Sequence, residues 1–326
     1  MADKKVIRTI GVLTSGGDAP GMNAAIRAVV RAARVNGLDV YGIRDGYRGL
    51  CEGGENFELM SRKSVTDIIA RGGTILGSAR LPEFVQDEYR DKAIQNLKDF
   101  GIDTLIVIGG DGTYHGALRL KNAGVNVICL PGTIDNDIAG TDFTIGFDTC
   151  VNTVVEAIDR LRDTCGSHER CAVVEVMGRY CGDIAKAAGL ATGAEFVITS
   201  ESGLDLEYVL EKTKDYKLHS KRHPIIIVTE HITDVHDLAA KIEDYSGFET
   251  RATILGHIQR GGKPSAQDRI LASRLGLAAV EAALDDNCGV CMGIISNQIV
   301  AIPIEEVLNS KKDVFKNFER SIVTLS

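Results

Sequence analysis

Leu105-Ile106-Val107-Ile108-Gly109-Gly110-Asp111-Gly112-Thr113 is a short, wholly apolar run that ends in a glycine turn, and an amphipathic stretch through Leu118 and Leu120 follows it. Such a run is a strand buried on both faces, and the change to helical spacing behind a tight turn is the repeating unit of a mostly parallel α/β sheet. The turn also carries chemistry. An Asp between glycines allows close backbone approach to phosphate and offers one carboxylate to a hard cation such as Mg²⁺, which suggests nucleotide phosphate binding. It is not a Walker loop: the nearest match, residues 256–263, has Gly262 where the lysine belongs. Gly-x-Gly-x-x-Gly stands neither here nor at the first turn of the chain, which weakens a dinucleotide-binding reading.

The same pattern extends along the chain in both directions. Residues 10–14 read as a first strand that feeds Ser15-Gly16-Gly17-Asp18-Ala19-Pro20-Gly21 and then a helix. That helix sets Ala25, Ile26, Val29, Val30 and Ala33 on one face and Arg27, Arg31 and Arg34 on another. Residues 125–130 read as a third strand, ending in Pro131-Gly132-Thr133-Ile134-Asp135-Asn136-Asp137. Beyond about residue 139 the alternation restarts as a second domain. Helices are expected over residues 151–163 and 206–217 and after Gly182, with strands over 172–176, 196–199 and 225–229. Residues 234–245 and 267–283 read as further amphipathic helices.

The chain has 326 residues, enough for about two domains. Its 37 basic and 45 acidic side chains leave a net charge of −8, which argues against nucleic acid or an anionic membrane as partner. Glycine accounts for 35 residues, about 11% against a background of about 7%, with only 6 prolines, so disorder and collagen are excluded and glycine is used locally. The apolar runs stop short of the roughly 18 residues of a membrane span. Met1-Ala2-Asp3-Lys4-Lys5 lacks a signal-peptide core, so a cytoplasmic protein with reduced thiols is expected. Cys288 and Cys291 have metal-like spacing but no second pair, and read as structural residues in a strand; no zinc is expected.

Three polar turns thus follow strands, at the strand ends where α/β proteins bind ligands. The first reads equally as an anion cradle at a helix start and as a tight connection. The third places Asp135 and Asp137 two residues apart, on one side of an extended backbone, with Thr133 beside them. One carboxylate can accept a proton from a substrate hydroxyl while the other helps to hold a metal; an Asx-rich turn is the plain alternative. Arg80, Arg170, Arg179, Arg251 and Arg260 recur near glycines or in glycine-flanked segments, and the planar guanidinium suits phosphate. A solvated face is the default for any one of them, least so for Arg260 in Gly256-His257-Ile258-Gln259-Arg260-Gly261-Gly262.

Taken together, Ser15-Gly-Gly-Asp-Ala-Pro-Gly-Met-Asn23, Arg71-Gly-Gly-Thr-Ile-Leu-Gly-Ser-Ala-Arg80, the two turns at 109–113 and 131–137, Val176-Met-Gly-Arg-Tyr180 and the 256–262 segment closely resemble the bacterial ATP-dependent 6-phosphofructokinase family. The match runs in order from about residue 11 to about residue 302. The resemblance implies two Rossmann-like three-layer α/β/α domains with mostly parallel sheets. Residues 1–138 plus about 252–305 would bind ATP, and about 139–251 plus 306–326 would bind fructose 6-phosphate. It implies transfer of the γ-phosphoryl of MgATP to the 1-hydroxyl of the sugar in glycolysis.

By the same carry-over, Gly17, Tyr47, Arg80, Leu81, Gly110, Asp111, Gly112 and Thr113 line the ATP site, with Asp111 toward Mg²⁺. Asp135 is the base, Thr133 and Arg179 act on the moving phosphoryl, and Asp137 assists. Ile134, Met177, Gly178, Glu230, His257 and Arg260 hold the sugar phosphate. Arg170 and Arg251 reach a neighbouring subunit's site in a homotetramer. An effector pocket for ADP or phosphoenolpyruvate would use Arg27, Arg31, Arg62 and Asp67 together with Arg162, Gly193, Glu195, Lys221 and His223.

His219 stands where familiar members carry Lys, which removes a fixed charge and implies a weaker or pH-dependent effector response. A small insertion falls around Gly53-Gly54-Glu55. Pyrophosphate-using relatives tend to carry Asp at the position of Gly112 and Lys at that of Gly132, so glycine at both favours ATP. A pyrophosphate-dependent enzyme and a non-catalytic regulatory paralogue are the competing readings.

Overall fold

The computed structural model describes residues 7–219, 223–312, 315 and 318–325. Along the chain come β1 (Thr9–Thr14), α1 (Met22–Val35), β2 (Asp39–Ile43), α2 (Gly46–Glu52), β3 (Phe57–Leu59), α3 (Asp87–Asp99), β4 (Thr104–Gly109), α4 (Asp111–Asn122), β5 (Asn126–Thr133), β6 (Ile145–Gly146) and α5 (Phe147–His168). Then follow β7 (Cys171–Val176), α6 (Asp183–Thr192), β8 (Phe196–Ile198), α7 (Leu206–Leu218), β9 (Ile225–Thr229), α8 (Val235–Ser246) and β10 (Thr250–Ile254). The last elements are α9 (Ala266–Leu284), β11 (Val290–Ile295), β12 (Gln298–Pro303), α10 (Ile304–Asn309) and α11 (Phe318–Leu325).

These fall into two compact units. The first takes the chain through Thr133, then Ile138–Asp148 and Arg260–Lys312; the second takes Ile134–Asp137, Thr149–Gln259 and the residues from 313 on. The expected boundaries shift accordingly. Residues 139–148 stay with the first unit because β6 pairs β5 at Gly132 and Thr133 and the Gly146 N–H donates to Asp268 Oδ1 at 2.8 Å. Residues 252–259 belong to the second unit because β10 is laddered to β7 throughout. Residues 306–312 belong to the first unit, where α10 packs on α4.

The first unit holds an eight-stranded sheet, ordered β12-β11-β5-β4-β1-β2-β3 with β6 beside β5. The interior pairs are parallel, while β2–β3 and β11–β12 are antiparallel. The all-buried run of β4 explains its place near the middle. Leu105 and Val107 join the core beneath α3 and α4, while Ile106 and Ile108 face the other way, as the strand period requires. On that second face α1 packs against α9. A Cβ added at Gly276 would lie 2.7 Å from Ala28 Cβ, so the helices meet at a residue too crowded for any side chain.

The second unit holds a parallel four-stranded sheet, ordered β10-β7-β9-β8. Helices α7 and α8 cover one face, with Val209, Leu238 and Ile242 packed against Val173, Ile226 and Val228, while α6 and α11 pack together beside β8. Both units are therefore α/β with mostly parallel sheets, as expected. Cys291 is buried in β11 and Cys288 lies just before it. Among the described residues no helix is long and apolar enough to cross a membrane.

Candidate active site

In the first unit the strand ends bring the first two turns together. The Ser15 N–H donates to Ile108 O at 3.0 Å, and Thr113 Oγ1 donates to Ser15 O at 3.1 Å. Gly109 must be glycine here, since a Cβ would sit 2.5 Å from Ser15 O. The second motif is not a loop. Gly110, in extended conformation, caps α4, and Asp111, Gly112 and Thr113 form its first turn. A helix start leaves leading N–H groups for a ligand and presents the positive end of its dipole, which suits phosphate.

Tyr47 is buried, donates from its hydroxyl to Thr113 O at 2.6 Å, and stacks on Phe84 with ring centroids 4.3 Å apart. Phe84 belongs to the short 3₁₀ turn Pro82–Val85 that Leu81 opens, so exposed Arg80 and half-buried Leu81 are carried to this corner. The preceding segment is pinned from the opposite side. Ser78 Oγ donates to Gly16 O at 2.6 Å, and buried Asn23 bonds Arg71 O, Gly72 O and the Ile75 N–H. Asp111 is half-exposed, 3.6 Å from His115 Nε2. Arg260 reaches the first turn: a Cβ on Gly17 would lie 2.2 Å from its Nη1. Gly112 faces open space among the described residues, whereas a Cβ on Gly132 would come within 2.9 Å of Ile108 and 3.1 Å of Met22.

In the second unit Ile134, Asp135 and Asn136 are buried. Asn136 takes φ +56° and donates to Asp183 Oδ2 at 2.8 Å, which fixes the backbone between the two catalytic candidates Asp135 and Asp137. Behind β7, Gly178 has φ +142°, and a Cβ there would lie 2.4 Å from Cys181 O, so only glycine fits. Arg179 also has positive φ, +57°; its N–H donates to Glu230 Oε1 at 3.0 Å and its guanidinium lies over the Tyr180 ring. Met177, Gly178, Arg179 and Glu230 are thus brought together. His257 is exposed on a 3₁₀ turn, Gly256–Arg260, one turn ahead of Arg260.

Arg170 Nε lies 2.9 Å from Glu249, and Arg251 bonds the same carboxylate and Glu243 at 3.4 Å. The Arg170 guanidinium holds the Glu249 carboxyl below its ordinary range. The residues of the effector expectation lie on both units. Arg27 and Arg31 share one face of α1, and burial followed by the charge of Arg31 lowers the Arg27 pKa. Arg62 and Asp67 are exposed on the segment after β3. In the second unit Arg162 donates to Thr192 O at 2.8 Å and Gly193 O at 3.3 Å. Buried Glu195 accepts from the Ile225 N–H at 2.6 Å, and His223 lies near Gly166. His219 Nδ1 is 3.1 Å from Asp215, on its own helix. Lys221 lies outside the described residues.

Sequence reasoning missed Asn23, Asn136, Asp183 and Gln259. Asn23 and Gln259 bond backbone and Asn136 and Asp183 bond each other, so only a buried amide or carboxylate beside a motif could have flagged them.

Parallel strands that end in phosphate-suited helix starts in one unit, and a carboxylate pair followed by an Arg-bearing turn in the other, define a phosphotransferase of the α/β class. The phosphofructokinase family model matches residues 9–283. The chain is 57% identical over 310 residues to an ATP-dependent 6-phosphofructokinase of Tolumonas auensis, covering 95% of this chain and 96% of that protein. It is 56% identical over 311 residues to one of Edwardsiella ictaluri, covering 95% and 97%. Among solved structures, phosphofructokinase from Saccharomyces cerevisiae superposes with TM-score 0.87 at 36% identity, over 97% of this chain and 47% of that larger one. A pyrophosphate-dependent phosphofructokinase from Marinobacter aquaeolei, at 22% identity and TM-score 0.84 over 97% and 92%, shares the fold. The chain belongs to the phosphofructokinase family.

Proposed function

We propose that this chain is an ATP-dependent 6-phosphofructokinase, moving the γ-phosphoryl of ATP onto the 1-hydroxyl of fructose 6-phosphate in cytoplasmic glycolysis. The observation that carries the reading is the segment 133–137. Thr133 ends β5 with its Cβ 3.6 Å from the Cβ position of Gly110, at the phosphate-suited start of α4, and the buried carboxyl of Asp135 follows two residues along. Nucleotide-side and acceptor-side groups are therefore carried on one continuous stretch of backbone.

Gly17, Tyr47, Arg80, Leu81 and the α4 start would hold the nucleotide. Asp111 fits a magnesium ion, because a half-exposed carboxylate beside phosphate is a hard oxygen ligand. Bound there, Mg²⁺ would screen the charge of the phosphates. Asp135 takes the proton of the 1-hydroxyl as the oxygen bonds phosphorus. In a loose transition state the hydroxyl stays protonated until late, so an ordinary carboxylate is base enough. Thr133 and Arg179 donate to the equatorial oxygens, and Asp137 would assist the metal and the base. Ile134, Met177, Gly178, Glu230, His257 and Arg260 hold the sugar phosphate.

Arg170 and Arg251, gathered on Glu249, would serve a neighbouring copy in a homotetramer. The paired guanidiniums of Arg27 and Arg31 suit the phosphate of an effector, ADP or phosphoenolpyruvate. The crowding at Gly132 supports ATP over pyrophosphate, since a lysine there would have to displace Ile108 and Met22. A coupled assay for fructose 1,6-bisphosphate, run with ATP and with pyrophosphate and then with added ADP or phosphoenolpyruvate, tests the reading. Turnover with ATP alone supports it; equal turnover with pyrophosphate, or none with either donor, refutes it.

A further inference from the structure

Strand β7 lies between β10 and β9, and its N–H groups point alternately to the two neighbours. The Cys171 N–H donates to Glu249 O on the β10 side at 3.0 Å, and the Ala172 N–H donates to Pro224 O on the β9 side at 3.0 Å. By that alternation the Met177 N–H points to the β10 side. The ladder on that side ends sooner. The Leu255 N–H donates to Glu175 O at 3.1 Å, and the chain then turns at Gly256, with φ +53°, into the 3₁₀ turn that carries His257 and Arg260. The strand carbonyl that would have met Met177 has been led away.

Gln259, fully buried, takes its place. Its Oε1 accepts from the Met177 N–H at 3.1 Å, and its Nε2 donates to Gly256 O at 3.0 Å. Cys150 Sγ approaches the same Oε1 at 4.0 Å. One side-chain amide thus closes the turn holding His257 and Arg260 and, with its other end, caps the strand leading into Met177-Gly178-Arg179. A buried amide with both ends engaged has a single orientation, so the two segments are set relative to each other by its length.

We infer that Gln259 is a positioning residue for the sugar-phosphate acceptor, fixing the spacing between the Met177–Arg179 turn and the His257–Arg260 turn. The inference rests on the acceptor role proposed above for those turns. Gln259 touches no substrate; it acts through the two backbones it joins.

The test compares wild type with Gln259→Leu, which removes both bonds, and Gln259→Glu, which keeps the shape and the acceptor to Met177 but opposes Gly256 O with a second acceptor. KM is measured separately for fructose 6-phosphate and for ATP, alongside thermal unfolding. The expected result is a rise in the fructose 6-phosphate KM of about tenfold or more for Gln259→Leu, corresponding to about 1.4 kcal/mol, a smaller rise for Gln259→Glu, and an ATP KM within about twofold of wild type. If Gln259→Leu does not fold, Gln259→Glu alone decides. Variants that lose stability but keep the wild-type fructose 6-phosphate KM, or that raise both KM values equally, overturn the inference. Wild type that fails to phosphorylate fructose 6-phosphate at all overturns instead the acceptor reading beneath it.

Discussion

Asp135 and Glu249 are both carboxylates, the one proposed as the base and the other paired with an arginine. Asp135 is buried on the segment after β5; removal of this proposed base would leave the acceptor residues in place while the proton of the attacking hydroxyl loses its destination. Asp135→Ser is expected to lower kcat by a factor of order 10² or more, with the fructose 6-phosphate KM little changed; steady-state kinetics with near-normal kcat would remove the base assignment. Glu249 is half-exposed at the surface, and Arg170 depresses its pKa. A depressed folded-state pKa stabilises the protein above the unfolded value, near 4.3, and that contribution fades as pH falls through the lower folded value. Glu249→Gln should therefore lower Tm at about pH 6 to 7, and the difference from wild type should shrink as pH falls below the ordinary carboxylate range. Unfolding scans across that range decide the point, and parallel curves at every pH would contradict it. The residues proposed to carry charge to a phosphate could be singled out in sequence because chemistry restricts their types. Asn136, Asp183 and Gln259 were not, since an amide or carboxylate that bonds only other protein groups looks like any polar residue until its partners are known.

Elements were legible where periodicity was strong and blurred where a signal residue misled. Pro-Gly usually breaks strands, so the sequence places the end of the third strand at Leu130. In the structure β5 continues to Thr133: β11 pairs it only at Ile128 and Cys129, so at Pro131 no ladder on that side needs the missing N–H. Helix α5 extends beyond the expected residues 151–163 at both ends, with Cys150, Val154, Ile158 and Cys165 on its buried face. Helix α4 begins within the glycine motif, since Gly110 supplies the cap and Asp111 an acidic first turn that a helix start favours. That placement makes α4 sensitive to its packing. A Cβ on Gly116 would fall 2.5 Å from the Tyr47 ring, the same ring whose hydroxyl anchors Thr113. Gly116→Ala is expected to cost about 1–3 kcal/mol of stability and to raise the KM for ATP. Denaturant melts and ATP kinetics on one preparation would expose the error if both stayed at wild-type values.

At the scale of the molecule, alternation of strand and helix conveyed class and domain number, and the family resemblance implied exchange of chain between the domains, but not the crossing points themselves. Residues 139–148 and 252–259 changed sides because their partners, β5 and β7, are set by pairing that local periodicity does not encode. Burial acts across the whole molecule on the thiols as well. It pushes the Cys51 thiol up to about 11 and that of Cys181 up to about 12, and drives buried Cys129 and Cys171 upward too. At about pH 8 a thiol of pKa about 11 is thiolate to a fraction of about 10⁻³. These cysteines should react with a thiol-specific reagent at least about tenfold more slowly in the native protein than after unfolding in denaturant. Colorimetric counting of rapidly reacting thiols checks this; fast native reaction at Cys51 or Cys181, located by mass spectrometry, would disprove it.

The path of the chain also sets a timetable. The first unit's sheet lacks β11 and β12 until residue 303 has been made, and α1 waits for α9, which ends at Leu284, to cover its apolar face. On the ribosome, then, this unit cannot close as its strands emerge. Until β11, β12 and α9 have followed, the β11-side edge of β5 and one face of α1 stay open to other chains.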